Sequence, residues 1–377
     1  MSALRSNSGP GRRSEVHMRP DHLAVTVLAS LEGMGPVRLA AVLDTAAPVE
    51  ALAQIRSGRS EAHLPSGLLA AWQAEARRLD DRVVAASLAR SGISVSRPGD
   101  PEHPDALGAD IDPAPVLFRR GRCFSEGEPR VAIVGTRRCT SVGRDVARDL
   151  GFGLAAAGVV VVSGLALGVD GAAHEGALRA DGAPPLAFVG GGVDVVYPAR
   201  HRELWDALAQ SGTIASEAPP GAAPARWRFP ARNRLIAAMA DLVVVVESRA
   251  AGGSMLTVDQ AIRRDRQVMA VPGSVRNPAA AGTNALLADG CAPVTSTDDV
   301  LLALGMSGAS RQWPSSAPSR TVPAHLQLVL DTIGEGPTSL DRIVAASQAT
   351  TVDVLAAVGE LAGRGLIVDD GGKVRRA

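Results

Sequence analysis

The chain has 377 residues, with 39 basic and 39 acidic side chains and an apolar share of 46%. This length predicts two or three domains, and the composition is typical of a folded globular protein rather than a disordered one. Because the net charge is zero, nucleic-acid binding over the whole surface is excluded, and any such binding must come from local clusters of cations.

Cysteine, lysine and hydropathy patterns exclude further classes of protein. Cys123, Cys139 and Cys291 are scattered and form no C-x-x-C pair, which predicts neither a zinc site nor a disulfide framework and fits a reducing cytoplasm. The only lysine, Lys373, is followed by Val374, so the chain has no Walker A loop. No apolar run approaches the ~20 residues that a membrane helix needs. We therefore expect a cytoplasmic protein without a metal or cofactor.

The N-terminal part is predicted to be a tail followed by a small helical domain. Residues 1–19 are rich in Ser, Gly and Arg and lack an apolar core, which predicts a disordered tail. Residues 20–80 have helical periodicity, and Gly33 to Pro36 separate two apolar runs, as in a helix-hairpin-helix or SAM-like domain. Such a hairpin can present N–H groups to a phosphate or can simply pack two helices; we favour the second interpretation.

Residues 81–306 are predicted to form a Rossmann-like α/β domain. Val-, Ile- and Ala-rich runs indicate strands buried on both faces, and their alternation with helices predicts an open, mostly parallel sheet. The predicted strands are Val131–Val134, Val159–Val162, Pro185–Val189, Thr213–Ser216, Leu242–Glu247 and Gln267–Ala270. The predicted helices are Val142–Ala156, Val169–Ala180, His201–Gln210, Arg232–Met239 and Ser254–Arg263.

The C-terminal part is predicted to be a linker and a third domain. Residues 307–323 are rich in Ser, Pro and Arg, as linkers are. Residues 324–377 have the order of a winged helix: three helices, the third over Thr351–Arg364, and a β-hairpin around Asp369 to Gly372. Winged helices bind DNA or protein, and this third helix has few base-reading residues, so the sequence leaves both roles open.

Three loops at the carboxyl ends of the predicted strands could bind an anion. Ligands of open parallel sheets bind at this edge, where small residues expose N–H groups and helix dipoles add positive charge. Arg137 and Arg138 can clamp a phosphate. The loops are Gly135-Thr136-Arg137-Arg138, the segment from Ser163 and Gly164 to Gly168, and Gly252-Gly253-Ser254. The alternative, that the glycines only form tight turns, explains one loop more easily than three. No G-x-G-x-x-G follows the first strand, so NAD dependence is not expected.

A second informative segment, residues 226–234, has the sequence Arg-Trp-Arg-Phe-Pro-Ala-Arg-Asn-Arg in a chain with only 3% aromatic residues. Single-strand binders combine cations that follow the backbone with aromatic rings on which bases stack. Pro230 is predicted to begin a helix, which would place Arg232 and Asn233 in its first turn. Arg226, Phe229 and Arg234 complete the predicted contacts. The alternative is a solvated arginine cluster around buried aromatics.

Catalysis receives less support. Asp170 and His174 are four residues apart on a predicted helix and share a face, so they could form a base. No nucleophile or set of metal ligands accompanies them in the sequence. We therefore expect a protein that is not an enzyme, in which the pair provides structural support through a hydrogen bond that stiffens the glycine-rich loop.

Five segments, in this order, resemble the DprA (Smf) family. They are Val-Gly-Thr-Arg-Arg at 134–138, Ser-Gly-Leu-Ala-Leu-Gly-Val-Asp-Gly-Ala-Ala-His at 163–174, Gly-Gly-Gly-Val-Asp-Val-Val-Tyr-Pro at 190–198, Phe-Pro-Ala-Arg-Asn-Arg at 229–234 and Gly-Ser-Met-Leu-Thr at 253–257. The resemblance covers residues 82–294. The flanks are also similar to family members that have a helical N-terminal domain and a C-terminal winged helix.

The resemblance implies a non-catalytic homodimer that binds single-stranded DNA in natural transformation (competence), protects the incoming strand and loads the RecA recombinase. Family members often have Lys among the strand contacts, and Arg226 takes that place here. The family's strand-binding positions correspond to Arg137, Ser163, Gly164, Arg226, Phe229, Arg232, Asn233, Gly253 and Ser254. We expect that replacing Arg137 or Arg232 with Ala abolishes most binding without unfolding the domain.

The alternative function is a small-nucleotide enzyme or sensor of a related Rossmann-like fold. Phosphoribohydrolases of this kind have a P-G-G-x-G-T-x-x-E loop that supplies a phosphate cradle and a catalytic Glu. The nearest segments here, Pro272-Gly273-Ser274 and Ala281-Gly282-Thr283, lack the assembled pattern and its Glu. This function therefore ranks second.

Overall fold

The structure is a computed structural model that describes residues 18–62, 64–65, 67–124, 126–306, 324–333, 338–347, 349–363, 366–369 and 373–376. The chain forms two compact units, residues 1–310 and 311–377. Most of the predicted N-terminal tail (residues 1–17) and all of the predicted linker (residues 307–323) lie outside the described residues. Within the described part of the chain, no helix is long and apolar enough to cross a membrane.

The first unit begins with five short helices: α1 (Pro20–Ser30), α2 (Pro36–Leu43), α3 (Pro48–Arg56), α4 (Leu68–Arg78) and α5 (Asp81–Ser91). Between α1 and α2 the chain turns at Gly33, whose φ is +71°. Pro36 is the first residue of α2, where its missing N–H costs no helical hydrogen bond. Buried side chains of these helices form one hydrophobic cluster with Phe118 and Ile214 of the sheet. The helices therefore pack directly against the sheet.

A nine-stranded sheet forms the centre of this unit. It consists of β1 (Ser94–Ser96), β2 (Leu117–Gly121), β3 (Arg130–Val134), β4 (Val160–Ser163), β5 (Leu186–Phe188), β6 (Thr213–Ser216), β7 (Leu242–Val245), β8 (Gln267–Ala270) and β9 (Ala292–Pro293). Their order is β1-β2-β6-β5-β4-β3-β7-β8-β9. Pairing is parallel from β6 to β9 and antiparallel where β2 meets β1 and β6. The mostly parallel Rossmann-like sheet is thus confirmed. The six predicted strands are β3–β8, within two residues at each end, whereas β1, β2 and β9 are additional.

Helices cover both faces of the sheet. They are α6 (Asp105–Gly108), α7 (Ser141–Ala156), α8 (Val169–Arg179), α9 (Arg202–Ser211), α10 (Arg228–Met239), α11 (Met255–Ile262), α12 (Ala281–Ala288) and α13 (Thr297–Ala303), with 3₁₀ turns at Ala199–His201 and Pro278–Ala280. Apolar residues of α7 and α8 pack with Val131 and Ile133 of β3. Those of α10 and α11 pack with Ala132 and Val134, on the opposite face.

The start of α10 differs from the prediction. We expected the helix to begin at Pro230, but it begins at Arg228 and Pro230 is its third residue. The first four N–H groups of a helix have no intrahelical acceptor, so proline fits the first turn without the loss of a hydrogen bond. As a consequence, Phe229 lies in the first turn and Arg232 in the second.

The second unit contains α14 (Ala324–Thr332), β10 (Thr338–Ser339), α15 (Leu340–Ser347), α16 (Thr351–Gly363), β11 (Ile367–Asp369) and β12 (Lys373–Arg376). The strands form an antiparallel sheet in the order β10-β12-β11. Leu326, Ile343, Val354 and Leu361 are buried in its core. Residues 370–372, where the turn of the wing is predicted, lie outside the described residues.

Candidate nucleic-acid interface

A cleft of about 500 Å³ lies at the carboxyl ends of β3 and β7. In the sheet, β3 has β4 on one side and β7 on the other. The strand order changes direction at this point, which is where open α/β sheets bind ligands. The lining includes Gly135, Thr136, Arg137, Arg138, Asp170, Phe229, Arg232, Asn233, Arg249, Gly253 and Ser254. All of these except Arg249 were predicted from the sequence, and the structure brings them together in one cleft.

Glycines allow the loops of the cleft to approach one another closely. A Cβ on Gly164 would overlap the guanidinium of Arg232, and a Cβ on Gly168 would overlap the carbonyl oxygen of Thr136. Gly168 also has a φ of +83°, which residues with a Cβ rarely adopt. These glycines therefore do more than form tight turns, because neighbouring groups occupy the space of a side chain.

Arg137 and Phe229 form a stacked pair in the cleft. The Cζ of Arg137 lies 4.8 Å from the centroid of the Phe229 ring, within the range of a cation–π interaction. Tyr197 packs against the same ring, with centroids 5.6 Å apart. A Cβ on Gly190 would come within 3.0 Å of the Phe229 ring, so the glycine provides the space in which the ring lies. The side chain of Arg137 is exposed, and its guanidinium is available to a phosphate.

Arg232 forms the floor of the cleft rather than an exposed contact. It is only 6% exposed, and its Nη1 donates a 2.6 Å hydrogen bond to the carbonyl oxygen of Phe188. Burial lowers the pKa of Arg232 to about 10, although the negative charge of nearby Asp170 opposes this shift. At neutral pH the guanidinium remains charged. Because Arg232 is part of the buried structure, we revise the expectation that its loss leaves the fold intact.

The loop after β3 is held in place by Glu247, which follows β7. The Glu247 carboxylate accepts hydrogen bonds from the backbone N–H and the hydroxyl of Thr140, at 2.8 and 2.7 Å, just before α7. A carboxylate at this end of a helix is also favoured by the helix dipole. The Glu247 carbonyl oxygen accepts the N–H of Thr136 at 2.7 Å. This role of Glu247 was not predicted from the sequence, although an acidic residue at a strand end near a helix start was a usable signal.

Asp170 and His174 are both buried on α8, but they do not form the expected hydrogen bond. Neither ring nitrogen of His174 has a hydrogen-bond partner among the described residues. Burial lowers the pKa of His174 to about 3, and nearby His201 and Arg232 act in the same direction, so the ring is neutral. Burial raises the pKa of the Asp170 carboxyl, whereas the charge of Arg232 opposes this. Backbone hydrogen bonds from Ala166 and Gly164 of the glycine-rich loop also favour the ionised Asp170 carboxyl. No hydrogen bond joins Asp170 to the His174 ring, and stiffening of this loop through Asp170 stays a prediction.

Five predicted contacts are absent from the cleft lining: Ser163, Gly164, Gly168, Arg226 and Arg234. Arg234 donates a 2.7 Å hydrogen bond to the carbonyl oxygen of Asp112 and forms an ion pair with Glu217. It lies on the side of α10 away from the cleft because residues two apart on a helix differ by ~200° in direction. The hydroxyl of Ser163 is fully buried and donates to the carbonyl oxygen of Ile133 at 2.6 Å. Arg226 is exposed but does not line the cleft.

The third predicted loop gives the cleft a polar wall. The Ser254 hydroxyl is buried and donates to the Ser248 hydroxyl at 2.8 Å, so it supports the loop instead of facing a ligand. Asn233 lies 3.5 Å from the carbonyl oxygen of Gly253 through its Nδ2. A Cβ on Gly253 would meet open space, which leaves the backbone there accessible. Arg249, beside this loop, is exposed and adds a cation.

The arrangement is suited to binding an extended anion. Four arginines and a single aspartate contribute the charged side chains of the lining, so the cleft is strongly positive. Guanidinium groups bind phosphates through paired hydrogen bonds, and the Phe229 ring offers a surface for a base. Among the described residues there is no group of three or more His, Cys, Asp or Glu side chains that could hold a metal ion.

Comparisons with known proteins agree with this geometry. The family model of DNA recombination-mediator protein A matches residues 94–305. A putative DNA processing protein DprA of Mycobacterium tuberculosis is 37% identical over 360 residues, which cover 90% of this chain and 91% of that protein.

Two solved structures are also similar. DNA processing protein A of Streptococcus pneumoniae has a TM-score of 0.63 at 30% identity, over 76% of this chain and 98% of its own. DNA processing protein A of Helicobacter pylori, whose structure concerns its mode of single-stranded DNA binding, has a TM-score of 0.50 at 29% identity, over 56% of this chain and 95% of its own.

Proposed function

Because the chain belongs to the DNA recombination-mediator protein A (DprA) family, we propose that it binds single-stranded DNA in the cleft at the carboxyl ends of β3 and β7 and mediates recombination. The observation that carries this proposal is the exposed Arg137 guanidinium stacked on Phe229, 4.8 Å from its ring centroid. The pair supplies a phosphate-binding cation and an aromatic surface side by side, which are the two elements of sequence-independent single-strand binding.

Each part of the lining has a role in this proposal. The exposed side chains of Arg137, Arg138 and Arg249 contact phosphates, and Phe229 stacks on a base. Arg232 provides a buried positive charge at the floor of the cleft, which attracts the negatively charged DNA backbone. Gly253 presents accessible backbone, while Gly164, Gly168 and Ser254 maintain the shape of the cleft.

The protein acts without catalysis, in the cytoplasm, as a homodimer that protects incoming strands in natural transformation and loads RecA. These parts of the proposal come from the family and need their own tests. The helical N-terminal region, the central Rossmann-like domain and a C-terminal winged helix are its proposed domains.

The test of binding is fluorescence anisotropy of the full chain with labelled oligo-dT and with a duplex of equal length, over a salt series. We expect preference for the single strand and a log–log salt slope of roughly 0.7 per contacted phosphate. Arg137→Ala should weaken binding about 10- to 100-fold, because a charge-assisted hydrogen bond contributes roughly 1.5–3 kcal/mol, and it should flatten the slope.

The matched control is Arg90→Ala, which removes an exposed arginine of α5 far along the chain from the cleft loops. This variant should bind as the wild type does. Equal affinity of Arg137→Ala and wild type would overturn the site. Absence of binding to either DNA form at low salt would overturn the function, and base release from nucleoside monophosphates would favour the small-nucleotide alternative instead.

A further inference from the structure

Trp227 is an exposed tryptophan at the start of α10. Its exposed fraction is 52%, whereas Trp72 and Trp205 are fully buried. The residue directly precedes α10, and only Arg228 separates it from Phe229 of the cleft. Tryptophan is enriched at binding surfaces because its ring combines a large apolar area with a polar N–H group.

The Trp227 ring is held in place by its neighbours. A Cβ on Gly35 would lie 3.4 Å from its Cη2, so the outer edge of the ring rests on the turn between α1 and α2. The Cζ of Arg228 lies 5.1 Å from the ring centroid, and Nη1 of Arg228 donates a 2.9 Å hydrogen bond to the carbonyl oxygen of Ala223. The ring is therefore preorganised while about half of its surface stays open to solvent. A fixed, open aromatic surface is what base stacking requires.

Three arginines lie in the segments that contact this ring, and the exposed Glu32 of the hairpin turn is the carboxylate among them. Arg226 is exposed on its N-terminal side, and Arg228 stacks on it. Arg38 of α2 is exposed on the same hairpin turn, where it donates to the carbonyl oxygen of Gly33. These three cations complement a phosphate backbone, and they explain how Arg226 can contribute to binding although it does not line the cleft.

Trp227 and Phe229 lie two residues apart at the start of α10, so their rings are on different sides of the helix. Phe229 rests on Gly190 and stacks with Arg137 inside the cleft, whereas Trp227 rests on Gly35 at the N-terminal hairpin. A strand that stacks on Phe229 must leave the cleft, and the groove beside Trp227 shares Gly190 and Arg232 with the groove beside Phe229.

We infer that Trp227 is a second base-stacking platform, which takes a nucleotide of the same single strand outside the cleft and leads the strand over the turn between α1 and α2. This inference rests on the proposed single-strand binding of the cleft. It gives the N-terminal hairpin a part in DNA binding through Gly35, which supports the ring, and Arg38, which faces the backbone.

The test compares oligo-dT of two lengths, roughly 4 and roughly 16 nucleotides, which span the site sizes of known single-strand modules. Trp227→Ala in the full chain should weaken binding of the longer strand about 5- to 150-fold, from a stacking contribution of ~1–3 kcal/mol per base. It should leave the affinity for the shorter strand within twofold. Trp227→Phe retains a ring and should restore most of the lost affinity.

Intrinsic fluorescence gives a second readout that does not depend on affinity. Saturating 16-mer should quench tryptophan emission in the wild type, and Trp227→Phe should remove most of that quenching. The thermal midpoint of each variant shows whether the fold is retained.

The outcomes separate the two proposals. If Arg137→Ala weakens both lengths and Trp227→Ala weakens neither, the second platform is wrong and the cleft stands. If Arg137→Ala weakens neither length, the cleft proposal itself fails. Persistent quenching by the longer strand in Trp227→Phe would also overturn the platform.

Discussion

On the cleft side of α10, Arg232 lies beneath a wide, positive opening, with Asp170 close enough to influence its pKa but without a direct ion pair between the two described side chains. On the opposite side of the same helix, Arg234 is paired with Glu217 and bonded to the carbonyl oxygen of Asp112. The two arginines belong to one sequence motif and are only two positions apart. The side of the helix on which each arginine lies, and not its residue type, decides that Arg232 faces the cleft and Arg234 stabilises the fold.

The largest effects are expected from the removal of Arg232 and Arg234, each in its own variant. Arg232→Ala and Arg234→Ala should both destabilise the protein by about 3–5 kcal/mol, because each leaves buried polar partners without their cation. Only Arg232→Ala should also weaken oligo-dT binding by the folded protein, more than tenfold. Chemical unfolding measures the loss of stability, and anisotropy under conditions where both variants are folded measures the loss of affinity. A tenfold loss of affinity in Arg234→Ala would contradict the assignment of its side of the helix.

A smaller effect is expected from filling the space that Gly164 leaves for Arg232. Gly164→Ala would place a methyl group where the guanidinium lies, and overpacking of this kind costs roughly 1–3 kcal/mol. The displaced Arg232 should also lower affinity for oligo-dT, about fivefold or more, which titration would detect. Gly108→Ala in α6 is the matched control, since the added Cβ would make only an ordinary 3.5 Å contact with His103. Unchanged stability and binding in Gly164→Ala would show that the loop moves enough to accommodate the methyl group without displacing Arg232.

The smallest expected effect is a pH dependence of the free energy of unfolding, and it comes from Glu217, the partner of Arg234. Burial raises the pKa of Glu217 from 4.5 to about 7, although Arg234 opposes the shift. Between these values the folded protein holds a proton that the unfolded chain releases, so the free energy of unfolding falls as pH rises through this window, by at most ~1.4 kcal/mol per pH unit. Glu217→Gln should flatten this pH dependence of stability. The pH dependence of oligo-dT affinity should be the same in the variant and in the wild type. Denaturant titrations at about pH 5, 6 and 7 measure how the free energy of unfolding changes with pH. If the slope of the free energy of unfolding against pH is the same in Glu217→Gln and in the wild type, Glu217 is ionised over this whole pH range.

Much of the fold could be predicted because buried parallel strands leave a continuous apolar signal. An apolar run such as Val131–Val134 predicts a strand directly. The loops that follow parallel strands must then lie at one edge of the sheet. Neither β1 nor β2 gave such a signal, because β1 is an edge strand of only three residues and β2 contains two arginines. The antiparallel edge of the sheet was therefore not predicted.

The site could be predicted as a set of loops but not as a set of orientations. Motif spacing brought Arg137, Phe229 and Gly253 to one cleft, yet it could not show that Ser163 is turned inward or that Arg234 faces away. The direction of Ser163 is set by its position on β4, and that of Arg234 by its position on α10. Arg249 and Glu247 were missed because a single charged residue in a loop has no periodic pattern to mark its role.

The arginine-only character of the cleft has a consequence for chemical modification. Acetyl groups and amine-reactive dyes attach to lysine, and the only lysine in the sequence, Lys373, belongs to the second unit, on β12. The positive charge of the cleft is therefore beyond the reach of lysine acetylation, whether enzymatic or spontaneous. Guanidinium groups also stay protonated far above neutral pH. The same property lets a fluorophore be placed on Lys373 by amine coupling without any change to the charges that line the cleft.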